Sequence, residues 1–450
     1  MSFLSQLTDV AEADHDAWLG WAMDAYRSDG ASVEVNFRDL VPRRRAGADR
    51  YTHLLHPYPA KLLAAIPHLF LRCPSILPAD GVVLDPFCGS GTVLLEAALA
   101  GRRADGADAN PLARLIAAAK VTRLGDGALR SALEAIVVRG ARPAERPDVV
   151  NVEHWFAPEV IARLSSIRAG VVAIEDANLR RFFEVCLSAC ARKVSFADPR
   201  LSVPVRLNAR RLEVYGAKGV EALTRLTPLS ADQVSATFRA IAEQNIERLG
   251  RVRAIEPWPV APRIFDDARD LDVPDGAYDL VITSPPYAGA QKYVRASSLG
   301  LGWLGLTPGG SLRHLEQLSI GREHYSNSDY AEPQETGCAD ADALIEQVRG
   351  QNPLRAHIVS NYLLEMRAAF AETVRALRPG GWMVLVSGRN MVCGHAFDTP
   401  AYLESIAASF GLATCARFVD EIRTRGLMTK RNSTAGLISQ EVVTVMRRDV

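Results

Sequence analysis

The spacing of apolar and polar positions changes character several times along this chain. From Gly81 to Pro111 the order is apolar run, glycine-rich turn, helix and second run, in GVVLDPFCGSGTVLLEAALAGRRADGADANP, which is a βαβ signal. Residues 121–260 then read as mainly helical and amphipathic, with no repeat and no low-complexity tract. Strand-like text returns at YDLVITSPPY (278–287). Further on, Leu363, Met366, Phe370, Val374 and Leu377 recur at three- and four-residue steps and so share one helical face. Arg378-Pro379-Gly380-Gly381 is expected to stop that helix, and WMVLV (382–386) to be the next buried strand.

Alternating elements of this kind predict an α/β fold with a doubly wound, Rossmann-like sheet. Four segments are expected. A helical and basic segment covers 1–50, the glycine-turn half of the core covers 51–120, the helical insertion covers 121–260, and a second core half covers 261–450.

Composition narrows the classes. The chain has 450 residues, 48% of them hydrophobic, enough for a large core. Every long apolar stretch is broken before the roughly 20 residues that a membrane helix needs, and the start lacks a signal-peptide pattern, so a cytoplasmic protein is expected. The seven cysteines form no CxxC pair, which removes the usual zinc and redox motifs; no metal is expected. Basic and acidic residues number 52 each, so attraction to nucleic acid would have to come from local patches.

The strand VVLD ends at Asp85 and leads into a turn where Gly89 and Gly91 permit positive φ and close approach of a ligand. Asp108 follows about 20 residues later, at the spacing where a carboxylate can hold both hydroxyls of a ribose. Leu94 stands where a dinucleotide fingerprint has its third glycine. A carboxylate at Asp85 would repel a pyrophosphate but attract a cationic amino group. These features fit S-adenosylmethionine.

In the second half, Thr283-Ser284-Pro285-Pro286-Tyr287 follows a buried strand, and the two prolines fix a rigid extended turn. Such a turn can offer a hydroxyl, a carbonyl and an aromatic ring to one pocket. An aryl amine is a poor nucleophile because its lone pair is conjugated with the ring. Acceptors on its two N–H groups can turn that lone pair toward a methyl donor.

Together these blocks resemble the amino-methyltransferase family of DNA-modifying enzymes. DPFCGSGT is similar to its cofactor motif, and TSPPY to its catalytic motif in the form typical of cytosine-N4 members. HPYPAK (56–61) resembles a further cofactor block, FDDARDL (265–271) the adenine-contact segment, and LRPGGWMVLV a late strand of class I methyltransferases. The resemblance implies a class I methyltransferase fold that uses S-adenosyl-L-methionine to methylate N4 of a cytosine flipped out of double-stranded DNA. It places Tyr58, Pro59, Lys61, Asp85, Phe87, Cys88, Gly89, Gly91, Thr92, Asp108, Asn110 and Asp267 on the cofactor. Ser284, Pro285, Pro286 and Tyr287 fall on the target base. Family members with this motif order usually carry their target-recognition region between the adenine-contact and catalytic blocks. Here the two blocks adjoin and the insertion at 121–260, the candidate DNA- or target-recognition region, precedes both.

Phosphate contacts are expected from Arg192, Lys193, Arg206, Arg210 and Arg211, and from Lys292 and Arg295 beside the catalytic motif; a solvated arginine face is the plain alternative. Arg43, Arg44 and Arg45 carry the same two readings. The competing functions are adenine-N6 methylation on the same fold, methylation of RNA or of a protein amide, and a non-catalytic DNA-binding subunit. A cytosine-C5 enzyme is excluded, since no cysteine follows a proline. The resemblance implies double-stranded DNA as the partner, with a cognate restriction endonuclease as a second candidate.

Overall fold

The structure is a computed structural model that describes residues 15–41, 50–138, 145–208, 224–289, 292–421 and 440–450. Helix α1 (His15–Asp29), strand β1 (Val33–Val35) and helices α2 (Phe37–Leu40) and α3 (Ala65–Phe70) lead into β2 (Val82–Asp85). Helix α4 (Thr92–Leu99), β3 (Arg103–Ala107) and α5 (Pro111–Val121) follow. After the insertion come β4 (Ile264–Phe265), β5 (Tyr278–Thr283) and α6 (Tyr293–Leu304). The last part holds α7 (Ala339–Gln351), α8 (Pro353–Ala376), β6 (Leu377–Gly388), the small hairpin β7 (Asn390–Val392) and β8 (His395–Phe397), α9 (Thr399–Ala408), β9 (Leu412–Glu421) and β10 (Gln440–Arg448).

Eight strands form one sheet in the order β1-β9-β10-β6-β5-β2-β3-β4. Only β10 runs antiparallel to its neighbours. Order reverses between β2 and β5, because β3 and β4 build outward from β2 while β6 builds outward from β5. At such a switch point the connecting helices leave in opposite directions and open a crevice at the carboxyl ends of the strands. Parallel strands covered on both faces must be apolar on both. Val83, Leu280, Ile282, Val384 and Val386 pack on one face, and Leu84, Val281, Met383 and Leu385 on the other.

The predicted face of α8 is buried, with Leu363, Met366 and Phe370 inaccessible, and Asn352 caps the helix by accepting from Arg355 N at 3.0 Å. The RPGG segment after it differs from expectation. It belongs to β6, where Tyr278 pairs with Leu377 but Leu280 pairs with Trp382, so the extra residues bulge out of the ladder around Gly380 at φ +71°. The first segment also contributes more than a helix: Val33–Val35 pairs in parallel with Phe418–Asp420 and completes an edge of the sheet.

Insertion helices α10 (Pro158–Val172), α11 (Ala177–Val194) and α12 (Ala231–Arg253) share one apolar cluster with Leu112 and Ile116 of α5 and with Leu299, Leu301 and Trp303 of α6. Trp303 is core, set edge-on to Phe156. Helices α11 and α6 approach so closely that a Cβ at Gly300 would run into Ser188. The insertion therefore braces a helix from each half of the sheet. Among the described residues, no helix is long and apolar enough to cross a membrane, and no cluster of His, Cys, Asp or Glu has the makings of a metal site.

Candidate active site at the switch point

The turn after β2 is set by its own backbone. Cys88 N donates to Ala107 O at 2.8 Å, Gly91 N to Cys88 O at 2.7 Å, and Gly89 and Gly91 take φ of +49° and +78°. Gly91 has a second reason to lack a side chain, since its Cβ would lie 2.8 Å from Ala117 on α5. Thr92 is buried as the first residue of α4, the Cys88 thiol is buried against Gly106, and Phe87 is half-buried against the apolar cluster on the second face.

Two carboxylates frame this turn. Asp108 accepts from Gly89 N at 3.0 Å and from Asn110 N at 2.7 Å, so it closes the turn from the end of β3. Asp85 accepts from Phe87 N at 3.1 Å and from the Thr283 hydroxyl at 2.7 Å. Burial lifts the Asp85 carboxyl to about 7 and Asp108 to about 6, against the hydrogen bonds that favour their charged forms. A crevice that holds two destabilised carboxylates and admits close approach at Gly89 is suited to a cation carrying a ribose. Those residues fit S-adenosylmethionine on chemistry alone.

Asn110 joins three elements. Its Oδ1 caps α5 by accepting from Leu112 N at 3.1 Å, and its amide donates to Tyr58 Oη at 3.2 Å and to Ser297 Oγ on α6 at 3.0 Å. The Tyr58 ring lies parallel to that of Tyr293, centroids 6.4 Å apart. Pro59 beside it is half-buried. Lys61 Nζ donates to the carbonyls of His53 and His56 at 3.0 and 3.1 Å, so two of its three protons shape its own segment. His53 Nε2 donates to buried Glu96 at 2.8 Å, and His56 meets Ser188 Oγ at 2.9 Å, which makes both structural. Glu96 also meets His68 at 3.0 Å and Arg50 at 3.1 Å. Burial opposes its ionisation, but the bonds from His53 and His68 and the charge of Arg50 outweigh that and hold it at about 2. Burial drives both imidazoles toward the neutral form, so Arg50 supplies the balancing charge.

Across the crevice, Thr283 ends β5 and the SPPY loop begins. Ser284 and Pro286 are half-buried, and Pro285 and Tyr287 are buried. The Ser284 hydroxyl engages no protein group among the described residues. A Cβ at Gly321 would lie 2.9 Å from Tyr287 O, so the segment after residue 318 closes directly over the loop. Asp267 lies just past β4, where its carboxylate is held by Arg269 at 2.7 to 3.1 Å; Arg269 in turn pairs with Glu365.

The basic candidates separate. Arg192 is turned inward onto the carbonyls of Asp198 and Leu201 and its guanidinium is largely buried, which does not suit a phosphate contact. Lys193 is exposed, and Arg206 is exposed over the Phe196 ring while donating to His154 O. Arg210 and Arg211, like Arg43 to Arg45, lie outside the described residues. Lys292 and Arg295 line one cleft beside the SPPY loop, together with Tyr293, Arg322 and His324, two further groups that sequence spacing did not bring forward.

With β1 set aside as an added edge, the seven remaining strands, β10 alone antiparallel, take the sheet order of the class I methyltransferases. Within that class, residues 54–135 match the family described as UPF0020, RMKL-like, methyltransferase domain. The Type II methyltransferase M.MvaI of Kocuria varians is 21% identical over 418 residues, spanning 88% of this chain and 89% of its own. Similar solved structures include a putative DNA modification methylase from Thermus thermophilus (18% identity, TM-score 0.21, 41% of this chain and 52% of that one). The same protein has been solved complexed with S-adenosyl-L-methionine. The rRNA methyltransferase aviRa from Streptomyces viridochromogenes is another (13% identity, TM-score 0.30, 92% and 96%).

Proposed function

We propose that this chain is a DNA methyltransferase that moves the methyl group of S-adenosylmethionine to the exocyclic N4 amine of a flipped-out cytosine. The observation that carries the reading is the 2.7 Å bond from Thr283 to Asp85, which ties the last strand residue before SPPY to the last residue before the glycine turn. Donor and acceptor loops are thereby held at adjacent strand ends, the arrangement that transfer between two bound groups requires.

S-adenosylmethionine would supply an electrophilic methyl group on a sulfonium. Asp85 would attract its amino group, Asp108 would accept from the ribose hydroxyls, and Tyr58 and Asn110 would wall the turn. Asp267 would lie toward the adenine. Ser284 Oγ and the Pro285 carbonyl would accept from the two N–H groups of the amine and turn its lone pair outward, and Tyr287 would stack on the base. Lys292 and Arg295 would meet phosphates at the mouth of the crevice. M.MvaI, which matches along most of both chains, supports a DNA substrate.

Tritiated methyl transfer to DNA of mixed sequence, followed by nucleoside mass spectrometry, tests this. N4-methylcytosine is the expected product. N6-methyladenine alone would move the target while keeping the reaction, and cofactor binding without transfer to any DNA would favour a non-catalytic subunit.

A further inference from the structure

We propose that Arg269 is a positioning residue for the cofactor. It holds the Asp267 carboxylate in the orientation that accepts from the adenine amine, a role that rests on the reading of residues 265–271 as the adenine-contact segment. Asp108 N donates to Phe265 O at 3.1 Å, so this segment leaves β4 beside the carboxylate proposed to hold the ribose. Asp266, Asp267 and Asp270 all lie in it. Asp266 and Asp270 are exposed, whereas Asp267 is partly buried and gripped across both oxygens by the Arg269 guanidinium. Arg269 is itself fixed from the far side. Its Nη2 donates to Leu318 O at 3.0 Å, and its Nη1 lies 3.6 Å from Glu365 Oε1 on α8. Glu365 also accepts from Arg322 Nη1 at 3.2 Å, and Arg322 donates to Gln317 O at 2.6 Å. Gln317 and Leu318 end the short helix Arg313–Leu318, so two arginines satisfy carbonyls that a helix terminus leaves over.

The grip decides what Asp267 can still do. A carboxylate has about four acceptor positions. On Oδ1, Arg269 N and Nε donate at 2.9 and 2.8 Å, and on Oδ2, Nη2 donates at 2.7 Å. Nε reaches Oδ2 as well, at 3.1 Å, with the proton it already shares with Oδ1. What is left is room on Oδ2 for one further donor, and the side chain keeps 29% of its surface open to receive it. An aspartate χ2 is broad on its own. A planar fork across both oxygens removes that freedom and balances the charge, so a neutral aryl amine meets an oriented, paired acceptor. A lysine would supply the charge without the plane.

The test is calorimetric titration of the full chain with S-adenosylhomocysteine and with its purine analogue, which lacks only the 6-amino group. Wild type should prefer the adenine compound by about tenfold or more, the worth of one bond to a charged acceptor. Asp267→Ala should remove most of that preference, and Arg269→Ala should cut it by about threefold or more with Asp267 still in place. If Arg269 serves only the helix end, Arg269→Ala weakens both compounds equally and the preference stays at its wild-type value. That outcome overturns the role while leaving the adenine-contact reading intact. Wild type without a preference, or Asp267→Ala with the full preference, overturns the reading and the role together. Should Arg269→Ala unfold, Arg269→Lys decides instead: lysine cannot bridge both oxygens in plane, and an undiminished preference overturns the role.

Discussion

The two turns that meet at Thr283 and Asp85 are stiffened by different means. The turn after β2 is saturated with backbone hydrogen bonds, and its carboxylates are already engaged before any ligand binds. The loop after β5 is stiffened by two prolines and by close packing at Gly321, and the Ser284 hydroxyl is left without a protein partner among the described residues. The first arrangement suits a ligand that is always the same, since its contacts can be built in advance. The second suits a base that arrives from a duplex and must find its acceptors open.

If that contrast is right, the largest single effect belongs to the saturated turn. Asp108→Ala removes the group proposed to hold the ribose and also releases Gly89, and two charge-assisted bonds at about 1.5–3 kcal/mol each predict at least a hundredfold loss of S-adenosylmethionine affinity. Calorimetric titration of the folded variant checks it; unchanged affinity removes Asp108 from the cofactor.

On the open side, Ser284→Ala should leave cofactor and DNA affinity nearly intact while lowering turnover by about tenfold to hundredfold, one bond of about 1.5–3 kcal/mol formed chiefly in the transition state. Equal losses in DNA affinity and in turnover would mean that Ser284 binds rather than activates.

The contrast also predicts a pH dependence confined to the cofactor. Asp85 stands at about 7 in the free protein, and a cationic ligand beside it favours the carboxylate, so binding releases a proton. Affinity for S-adenosylmethionine should therefore fall as pH drops through 7, by about tenfold from pH 8 to pH 6. Titrations in buffers of different ionisation enthalpy would count the proton, and a flat profile would place the amino group elsewhere.

The smallest effect is expected at the mouth of the crevice. Replacing Lys292 and Arg295 together with alanine should weaken DNA binding by a few fold at moderate salt and reduce the slope of log K against log salt by about 0.9 per lost phosphate contact. An unchanged slope would make these residues plain surface.

Local chemistry explains what could be read in advance. The glycine turn, the SPPY loop and the α8 face each draw their signal from neighbouring residues, so order along the chain was enough to find them. The Thr283 to Asp85 bond joins residues far apart in sequence, and nothing in either segment announces it. Asn110 is expected on the cofactor from its motif, but the sharing of its amide between Tyr58 and Ser297 likewise joins segments far apart in sequence. The RPGG segment has the composition of a helix stop, yet the ladder on either side draws it into a bulged strand. In the arginine-rich stretch, Arg192 is inward because α11 buries that side, a distinction that composition does not contain.

Strand β1 bears on the order in which the molecule can assemble. Val33 pairs with Phe418, so one of the earliest described segments to leave a ribosome waits for one of the last before its edge of the sheet exists. Until β9 and β10 emerge, β6 has an uncovered edge, and the Trp18 and Phe37 rings lack the Phe418 ring they pack against. Closure of the sheet therefore waits on contacts of very long sequence separation, with correspondingly slow nucleation. Until those strands emerge the nascent chain carries an open strand edge, the state in which holdase chaperones would find it.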